Sequence, residues 1–136
     1  MPANATGALT LVSTKLSVPP AQVTVGPGRT ALETKALTVS CPGPNPCTIE
    51  AEQNGQVEGS TDNNRWSICT HVDGEPMAAP LCPYYGSMPN GSSGVGSFSQ
   101  SQWSVPPGTH KVRSFIYTDD GGTLLRYEIA YRVYSE

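Results

Sequence analysis

The chain has few charged residues and only a small excess of one sign. Only 14% of its 136 residues are charged, with 8 lysines and arginines against 11 aspartates and glutamates. A net charge of −3 lacks the basic excess that phosphate backbones require, so we expect no nucleic-acid binding. No apolar run approaches the roughly 20 residues that span a bilayer, and no amphipathic basic helix is visible. We therefore expect no membrane insertion.

The sequence also lacks the common catalytic patterns. It has two histidines, His71 and His110, and it contains no Gly-x-Ser-x-Gly elbow, His-Glu-x-x-His pair or phosphate-cradling glycine loop. Ser67 and His71 share one face of a predicted strand, where four residues span about 13 Å. That distance far exceeds the roughly 3 Å that activation of a nucleophile needs. We predict a protein that is not an enzyme and has no cofactor. A hydrolase, which would need a histidine beside a carboxylate and a distant nucleophile, ranks third, after the two binding hypotheses given below.

Metal-binding patterns are equally scarce. Neither 62–64 nor Asp73 forms an EF-hand-like loop, which needs a glycine at its sixth position and a glutamate at its twelfth. Asp119 and Asp120 occupy a predicted turn, where such side chains usually support the backbone. We therefore predict no metal ligands, and a calcium site is left as the minority alternative.

What the chain does contain is regularly spaced turn residues. Between them lie short runs rich in Val, Thr, Ile, Leu and Tyr, such as 8–18 and 32–41, which are typical of strands. This pattern predicts an all-β fold, a sandwich or a barrel, and the length predicts one domain over 1–136. Residues 1–7 have neither a charged nor an apolar region of a secretory signal, so we expect a flexible N-terminus of a mature chain with an added start methionine.

The four cysteines indicate an oxidising compartment. They are Cys41, Cys47, Cys69 and Cys82, which allow three pairings. We predict two local disulfides, Cys41 with Cys47 across the stiff segment 42–46, and Cys69 with Cys82. An inter-sheet bridge between Cys41 and Cys69 is the alternative. A zinc site is disfavoured because no Cys-x-x-Cys pair is present. The protein is therefore expected to be secreted, periplasmic or on the cell surface.

Two segments predict strand geometry in detail. In 65–72, alternation puts Trp66, Ile68 and Val72 on one face and the residues between them, including His71, on the other. The large apolar side chains of this face are expected in the core.

Near the C-terminus, Asp119-Asp120-Gly121-Gly122 supplies the residues that a tight hairpin turn requires. A turn centred on Asp120-Gly121 would pair the two flanking strands with Val112 opposite Ile129 and Arg113 opposite Glu128. One register would thus give both an apolar face and a cross-strand ion pair.

Three C-terminal segments, 107–112, 116–122 and 129–133, together resemble the last two strands of bacterial immunoglobulin-like and fibronectin-III-like extracellular modules. The resemblance covers roughly the last 30 residues, and the cysteine loops and 86–101 depart from it. It implies an immunoglobulin-like antiparallel sandwich of Greek-key topology, secreted or on a bacterial surface, that serves adhesion, spacing or ligand binding. It transfers no catalytic residues.

The segment 75–96 is predicted to be a long surface loop and the functional site, because a rigid scaffold would hold it. Tyr84 and Tyr85 offer flat amphipathic rings that stack on sugars, while Asn90 and Ser92 offer adaptable polar groups. The other interpretation is that the two tyrosines cover a sheet edge or the core. We therefore predict a non-catalytic secreted module that binds carbohydrate or a surface glycan. The alternative is a protein-interaction or structural module with an apolar patch or an open sheet edge, for example along the final strand, and with self-association.

Overall fold

The computed structural model describes residues 9–18, 22–77 and 86–136. These residues form eleven strands and no helix. The strands are β1 (Thr10–Ser17), β2 (Val23–Val25), β3 (Gly28–Ala31), β4 (Leu37–Cys41), β5 (Cys47–Glu58), β6 (Arg65–Val72), β7 (Glu75–Pro76), β8 (Gly86–Ser87), β9 (Ser93–Val105), β10 (Gly108–Thr118) and β11 (Gly122–Ser135).

The strands make two antiparallel sheets that pack face to face. Sheet 1 has the order β1-β11-β5-β9, and β2 pairs with β11 on the edge that it shares with β1. Sheet 2 has the order β3-β10-β6-β7, with β4 also pairing with β10 and β8 with β6. The prediction of an all-β antiparallel sandwich is confirmed.

The long strands alternate between the two sheets along the chain. β5, β9 and β11 belong to sheet 1, whereas β6 and β10 belong to sheet 2. This is the strand order of a jelly roll, which is also a Greek-key sandwich. An immunoglobulin domain places its last two strands side by side in one sheet. Here the last two strands, β10 and β11, lie in opposite sheets.

The predicted C-terminal hairpin is therefore wrong. β10 pairs with β3, β4 and β6, and β11 pairs with β1, β2 and β5. Both strands have one apolar face, and those faces meet in the core between the two sheets. The Oγ of Ser114 and the Oη of Tyr131 accordingly meet across the core at 2.5 Å. Arg113 donates to the carbonyl of Glu33 instead of meeting Glu128.

The core centres on Trp66, as its strand pattern predicted. Trp66 and Ile68 are each 1% exposed and Val72 is 8% exposed. The indole lies against two glycines of sheet 1: a Cβ on Gly96 would lie 2.5 Å from Trp66 Cζ2, and one on Gly55 would lie 3.2 Å from the ring. Glycine at these strand positions thus leaves room for the largest side chain of the opposite sheet.

The cysteine predictions have different outcomes. The Cys41–Cys47 disulfide is present with its Cα atoms 5.9 Å apart, and it joins the end of β4 to the start of β5 and so sheet 2 to sheet 1. This bridge excludes the alternative pairing of Cys41 with Cys69. Cys69 is buried, but Cys82 lies outside the described residues, so the second disulfide stays a prediction.

Candidate functional site

The structure describes two of the four residues of the predicted loop site, Asn90 and Ser92. Within 75–96, the described residues include β7, β8 and the first residues of β9. Asn90 donates from Nδ2 to Asp62 Oδ1 at 3.0 Å, and Gly91 N donates to Gly59 O at 3.0 Å, so this turn is held against the turn after β5. Ser92 is exposed.

Residues 78–85, which include Tyr84 and Tyr85, lie outside the described residues, as do residues 1–8. The aromatic part of the predicted site, and its relation to Asn90 and Ser92, therefore stay a prediction. The same holds for the flexible N-terminus.

A groove of about 830 Å³ opens elsewhere, on the outer face of sheet 1. At this edge β1 pairs with residues 129–135 of β11 and β2 pairs with residues 122–124. Residues 125–128 of β11 have no strand partner on that side within the described part of the chain. The groove lies at this gap. Its lining residues are Val18, Gln22, Asn54, Gly55, Gln56, Val95, Leu125, Arg126, Tyr127 and Glu128.

A bulge in β11 shapes the gap. The register with β5 shifts between Leu124 and Arg126, which leaves Leu125 without a partner on β5. Bulges commonly redirect side chains at such positions. After the bulge, alternation buries Tyr127 and Ile129 and leaves Arg126 and Glu128 on the outer face.

The polar side chains of the groove are oriented by one another. Arg126 pairs with Gln56 across the sheet and donates from Nε to Gln56 Oε1 at 2.9 Å. Gln56 in turn donates from Nε2 to Ser93 Oγ at 3.1 Å. Asn54 accepts a hydrogen bond from Ser97 Oγ at 2.6 Å. These bonds fix the planes of the guanidinium and of both amides, which is a condition for directional binding.

Several polar atoms of the groove remain for a ligand. Among the described residues, the terminal nitrogens of Arg126, the amide nitrogen of Asn54 and the carboxylate of Glu128 make no side-chain hydrogen bond or ion pair. They lie beside exposed apolar side chains, since Val95 is 80% exposed and Val18 is 59% exposed. The groove therefore combines donors, an acceptor and apolar surface.

The two histidines are both hydrogen-bonded and neither lines this groove. His110 contacts Asp73 Oδ2 through Nδ1 at 2.6 Å and the Pro106 carbonyl through Nε2 at 2.7 Å. Burial alone would lower the pKa of His110, but these hydrogen bonds and the charge of Asp73 together raise it. His71 lies 3.4 Å from Tyr117 Oη, and its pKa is lowered by burial and by Arg29. Within the described ranges no three His, Cys, Asp or Glu side chains cluster as metal ligands would.

Comparisons with known proteins identify a fold and no family. No family model matches the chain, and no curated protein is similar to it. A chain of the infectious bursal virus derived T=1 particles is 8% identical with a TM-score of 0.52, over 90% of this chain and 36% of that chain. The VP2 subviral particle of infectious bursal disease virus is also 8% identical, with a TM-score of 0.45, over 90% of this chain and 37% of that chain.

A family two carbohydrate esterase from Cellvibrio japonicus is 17% identical with a TM-score of 0.30, over 88% of this chain and 33% of that chain. The chain thus spans about a third of the length of these structures. At 8% identity, the likeness to the first of these structures shows the fold alone, and none of these comparisons identifies an immunoglobulin or fibronectin-III family.

Sequence reasoning missed the groove. Its polar residues were visible as alternating positions of two segments, 54–56 and 126–128. Nothing in the sequence paired those segments, because the expected hairpin assigned β11 to β10 instead of β5. The signal that could have pointed to the site is the alternation along 125–129, which places Arg126 and Glu128 on one face of the strand and apolar residues on the other.

Proposed function

We propose that this protein is a non-catalytic binding module that recognises carbohydrate in the groove on the outer face of sheet 1. The observation that supports this most directly is the set of pre-oriented planar groups, from Asn54, Gln56 and Arg126, beside exposed apolar side chains. A volume of about 830 Å³ lies within the range of small-ligand sites, which is about 300–1,000 Å³.

Sugars match this surface in two ways. Adjacent hydroxyls of a sugar each donate and accept, so they pair with groups that present two polar atoms in one plane, such as amides, guanidinium and carboxylate. The C–H face of the ring is apolar and packs on side chains such as Val18, Val95 and Leu125.

A secreted, periplasmic or cell-surface location is part of the proposal. The Cys41–Cys47 disulfide supports it, because such bridges form and persist in oxidising environments. Within the described ranges no helix is long and apolar enough to cross a membrane.

The test is a broad glycan array followed by calorimetry with the sugars that bind. The groove variant is Asn54→Ala/Arg126→Gln, and the control is Arg132→Gln, which removes the same charge from the same strand at a residue that pairs with Glu50. A Tyr84→Ala/Tyr85→Ala variant tests the predicted loop site separately.

Affinity lost at least about tenfold in the groove variant and kept in the control would support the groove. Loss only in the tyrosine variant would move carbohydrate binding to the loop. A parent chain that binds no glycan would contradict the proposed function.

A protein-interaction or structural module is the second candidate, because β1 is an edge strand of sheet 1 among the described residues and exposes large apolar side chains. Leu11 and Leu16 are 51% and 61% exposed, and Lys15 is the one charged residue of β1. Edge strands of this kind pair with other chains unless charges or coverage protect them. The final strand, suggested above as the open edge, is instead interior, between β1 and β5. Sedimentation of the parent and of Leu11→Lys tests this candidate: a concentration-dependent dimer that the variant abolishes supports it, and a monomer at all concentrations contradicts it.

A further inference from the structure

A second cavity lies on the opposite side of the sandwich, on the outer face of sheet 2. It has a volume of about 230 Å³. The register of the sheet brings its residues together from three strands, since His71 of β6 pairs with Arg113 of β10, and Arg29 of β3 pairs with Tyr117. Alternation along β10 adds two more side chains to the same face. The lining residues are Arg29, Ala36, His71, Gly74, Lys111, Arg113 and Phe115.

The cavity gathers positive charge in an acidic protein. Three of the 8 lysines and arginines of the chain line it, Arg29, Lys111 and Arg113, and no carboxylate does. None of the three forms an ion pair with a described residue. Like charges placed together on a sheet without a counterion are unfavourable, so the arrangement favours a bound anion.

Two nearby carboxylates, Asp73 and Glu33, accept hydrogen bonds elsewhere, while the charge of a third, Glu75, acts on His71. Asp73 binds His110 and also accepts from the backbone nitrogen of Lys111 at 2.8 Å. Glu33 is buried and accepts from Ser114 N and Tyr131 Oη, each at 2.6 Å. Neither Asp73 nor Glu33 forms an ion pair with the three cations that line the cavity.

The ring of Phe115 contacts the two arginines of the cavity. The guanidinium carbon of Arg29 lies 4.4 Å from the ring centroid, and that of Arg113 lies 5.6 Å from it. Arg113 is fixed further by donating from Nε to Glu33 O at 2.9 Å and from Nη2 to Thr34 O at 3.2 Å. The ring of His71 lies 4.7 Å from the same centroid. Contact with the aromatic face keeps the guanidinium groups beside the cavity, and their in-plane N–H donors suit recognition of an oxyanion.

We infer that this cavity is an anion site for one compact oxyanion, a carboxylate or a sulfate group, held by Arg29, Lys111 and Arg113. Its volume accommodates such a group with a few waters, at about 30 Å³ for each water. The pKa of His71 is lowered because burial and the charge of Arg29 outweigh the backbone of Gly74 and the charge of Glu75, which raise it, and this fits a site with an excess of positive charge. This site is on the other sheet from the carbohydrate groove and does not depend on it.

The test is a titration of the isotope-labelled full chain followed by nuclear magnetic resonance. Sodium sulfate, glucuronate and glucose are added in turn, with ionic strength held constant by sodium chloride. The signals followed are the ring of Phe115 and the backbone amides of Arg29 and Arg113. The variant is Arg29→Gln, whose side chain is exposed, and the charge-matched control is Arg132→Gln, at a residue that pairs with Glu50 and lines neither the groove nor this cavity.

We expect saturable shifts at these residues with sulfate, glucuronate or both, and none with glucose. Sulfate alone would identify a sulfate-type group as the ligand, and glucuronate alone a carboxylate. The affinity should fall at least about fivefold in Arg29→Gln and stay unchanged in Arg132→Gln. The inference is overturned if neither anion gives saturable shifts in the parent, or if Arg29→Gln binds as the parent does. Failure of the glycan array would leave this result unaffected, so the two proposals fail separately.

Discussion

Replacing Gly96 by alanine tests the packing that organises the sandwich. The added methyl carbon would lie 2.5 Å from Trp66 Cζ2 and 3.0 Å from Cη2, whereas ordinary contacts are 3.4–4 Å. The indole has little freedom to retreat, because it is 1% exposed and packs edge-to-face on Phe98 with the ring centroids 5.1 Å apart. Its Nε1 also donates to Ser87 O at 3.2 Å. Either the ring or β9 must therefore move by nearly 1 Å.

The expected magnitude follows from two opposing effects. Overpacking in a core costs about 1–3 kcal/mol. Alanine also restricts the unfolded chain relative to glycine, which stabilises by about 0.4–1 kcal/mol where the backbone allows it. Gly96 is not among the glycines with positive φ, so the backbone accepts alanine and the steric effect dominates. We expect Gly96→Ala to lower the free energy of unfolding by about 1–2 kcal/mol.

The assay is urea unfolding followed by far-ultraviolet circular dichroism, with Gly26→Ala as the matched control. A Cβ at Gly26 meets nothing within 4 Å and the residue has no positive φ, so that change should be neutral or slightly stabilising. In a Trp66→Phe background, the side chain is shorter and lacks the indole atoms Cζ2 and Cη2 that the new methyl group would meet. There, Gly96→Ala should leave the free energy of unfolding almost unchanged. Equal stability of Gly96→Ala and Gly26→Ala, or no dependence on Trp66, would refute the reasoning.

Two further predictions concern the histidine pair and the disulfide. The pKa of His110 is raised and that of Asp73 is lowered, so their contact should stabilise the fold fully between about pH 4 and 6.5. The stabilisation should be lost as the pH rises through the raised pKa of His110, and also as it falls through the lowered pKa of Asp73. The lowered pKa of His71 makes stability fall as the pH drops below about 6.5, and this effect is the same in the parent and in a His110 variant. The measurement is therefore the difference in unfolding free energy between the parent and His110→Gln across pH. A pH-independent difference would contradict the prediction. Cys41→Ala/Cys47→Ala opens a short loop and should cost about 2 kcal/mol in urea unfolding, and a variant as stable as the parent would show that the bridge does not constrain the unfolded chain.

The strand between Arg65 and Val72 shows what local pattern predicts well. Its alternation of large apolar and small polar residues placed Trp66, Ile68 and Val72 on the core face, and the structure confirms all three. The pairing of Cys41 with Cys47 was likewise predictable, because the intervening prolines and glycine keep the two cysteines close in any conformation. Both features depend on neighbouring residues alone.

The C-terminal strands show where local pattern fails. Asp119 and Gly121 belong to a connection that crosses between sheets: the Asp119 carboxylate accepts from Arg65 N at 3.0 Å, and a Cβ on Gly121 would lie 2.7 Å from Val25 O. The same turn residues serve a hairpin equally well. Choosing between the two requires knowing which distant strands are available as partners.

The sequence by itself determined the all-β class, the spacing of strands and turns, the local disulfide and the face of β6 that enters the core, because each follows from periodicity or short-range covalent geometry. The tertiary structure alone decided which strands are neighbours. That choice put Asn54 and Gln56 beside Arg126 and Glu128 in one groove, and Arg29 beside His71 and Arg113 in another cavity. It also buried Glu33, a residue that sequence alone would leave on the surface, against Tyr131 from a strand 98 residues further along the chain. Sites of this kind form between strands that are distant in sequence, so they exist only once the two sheets have paired and packed.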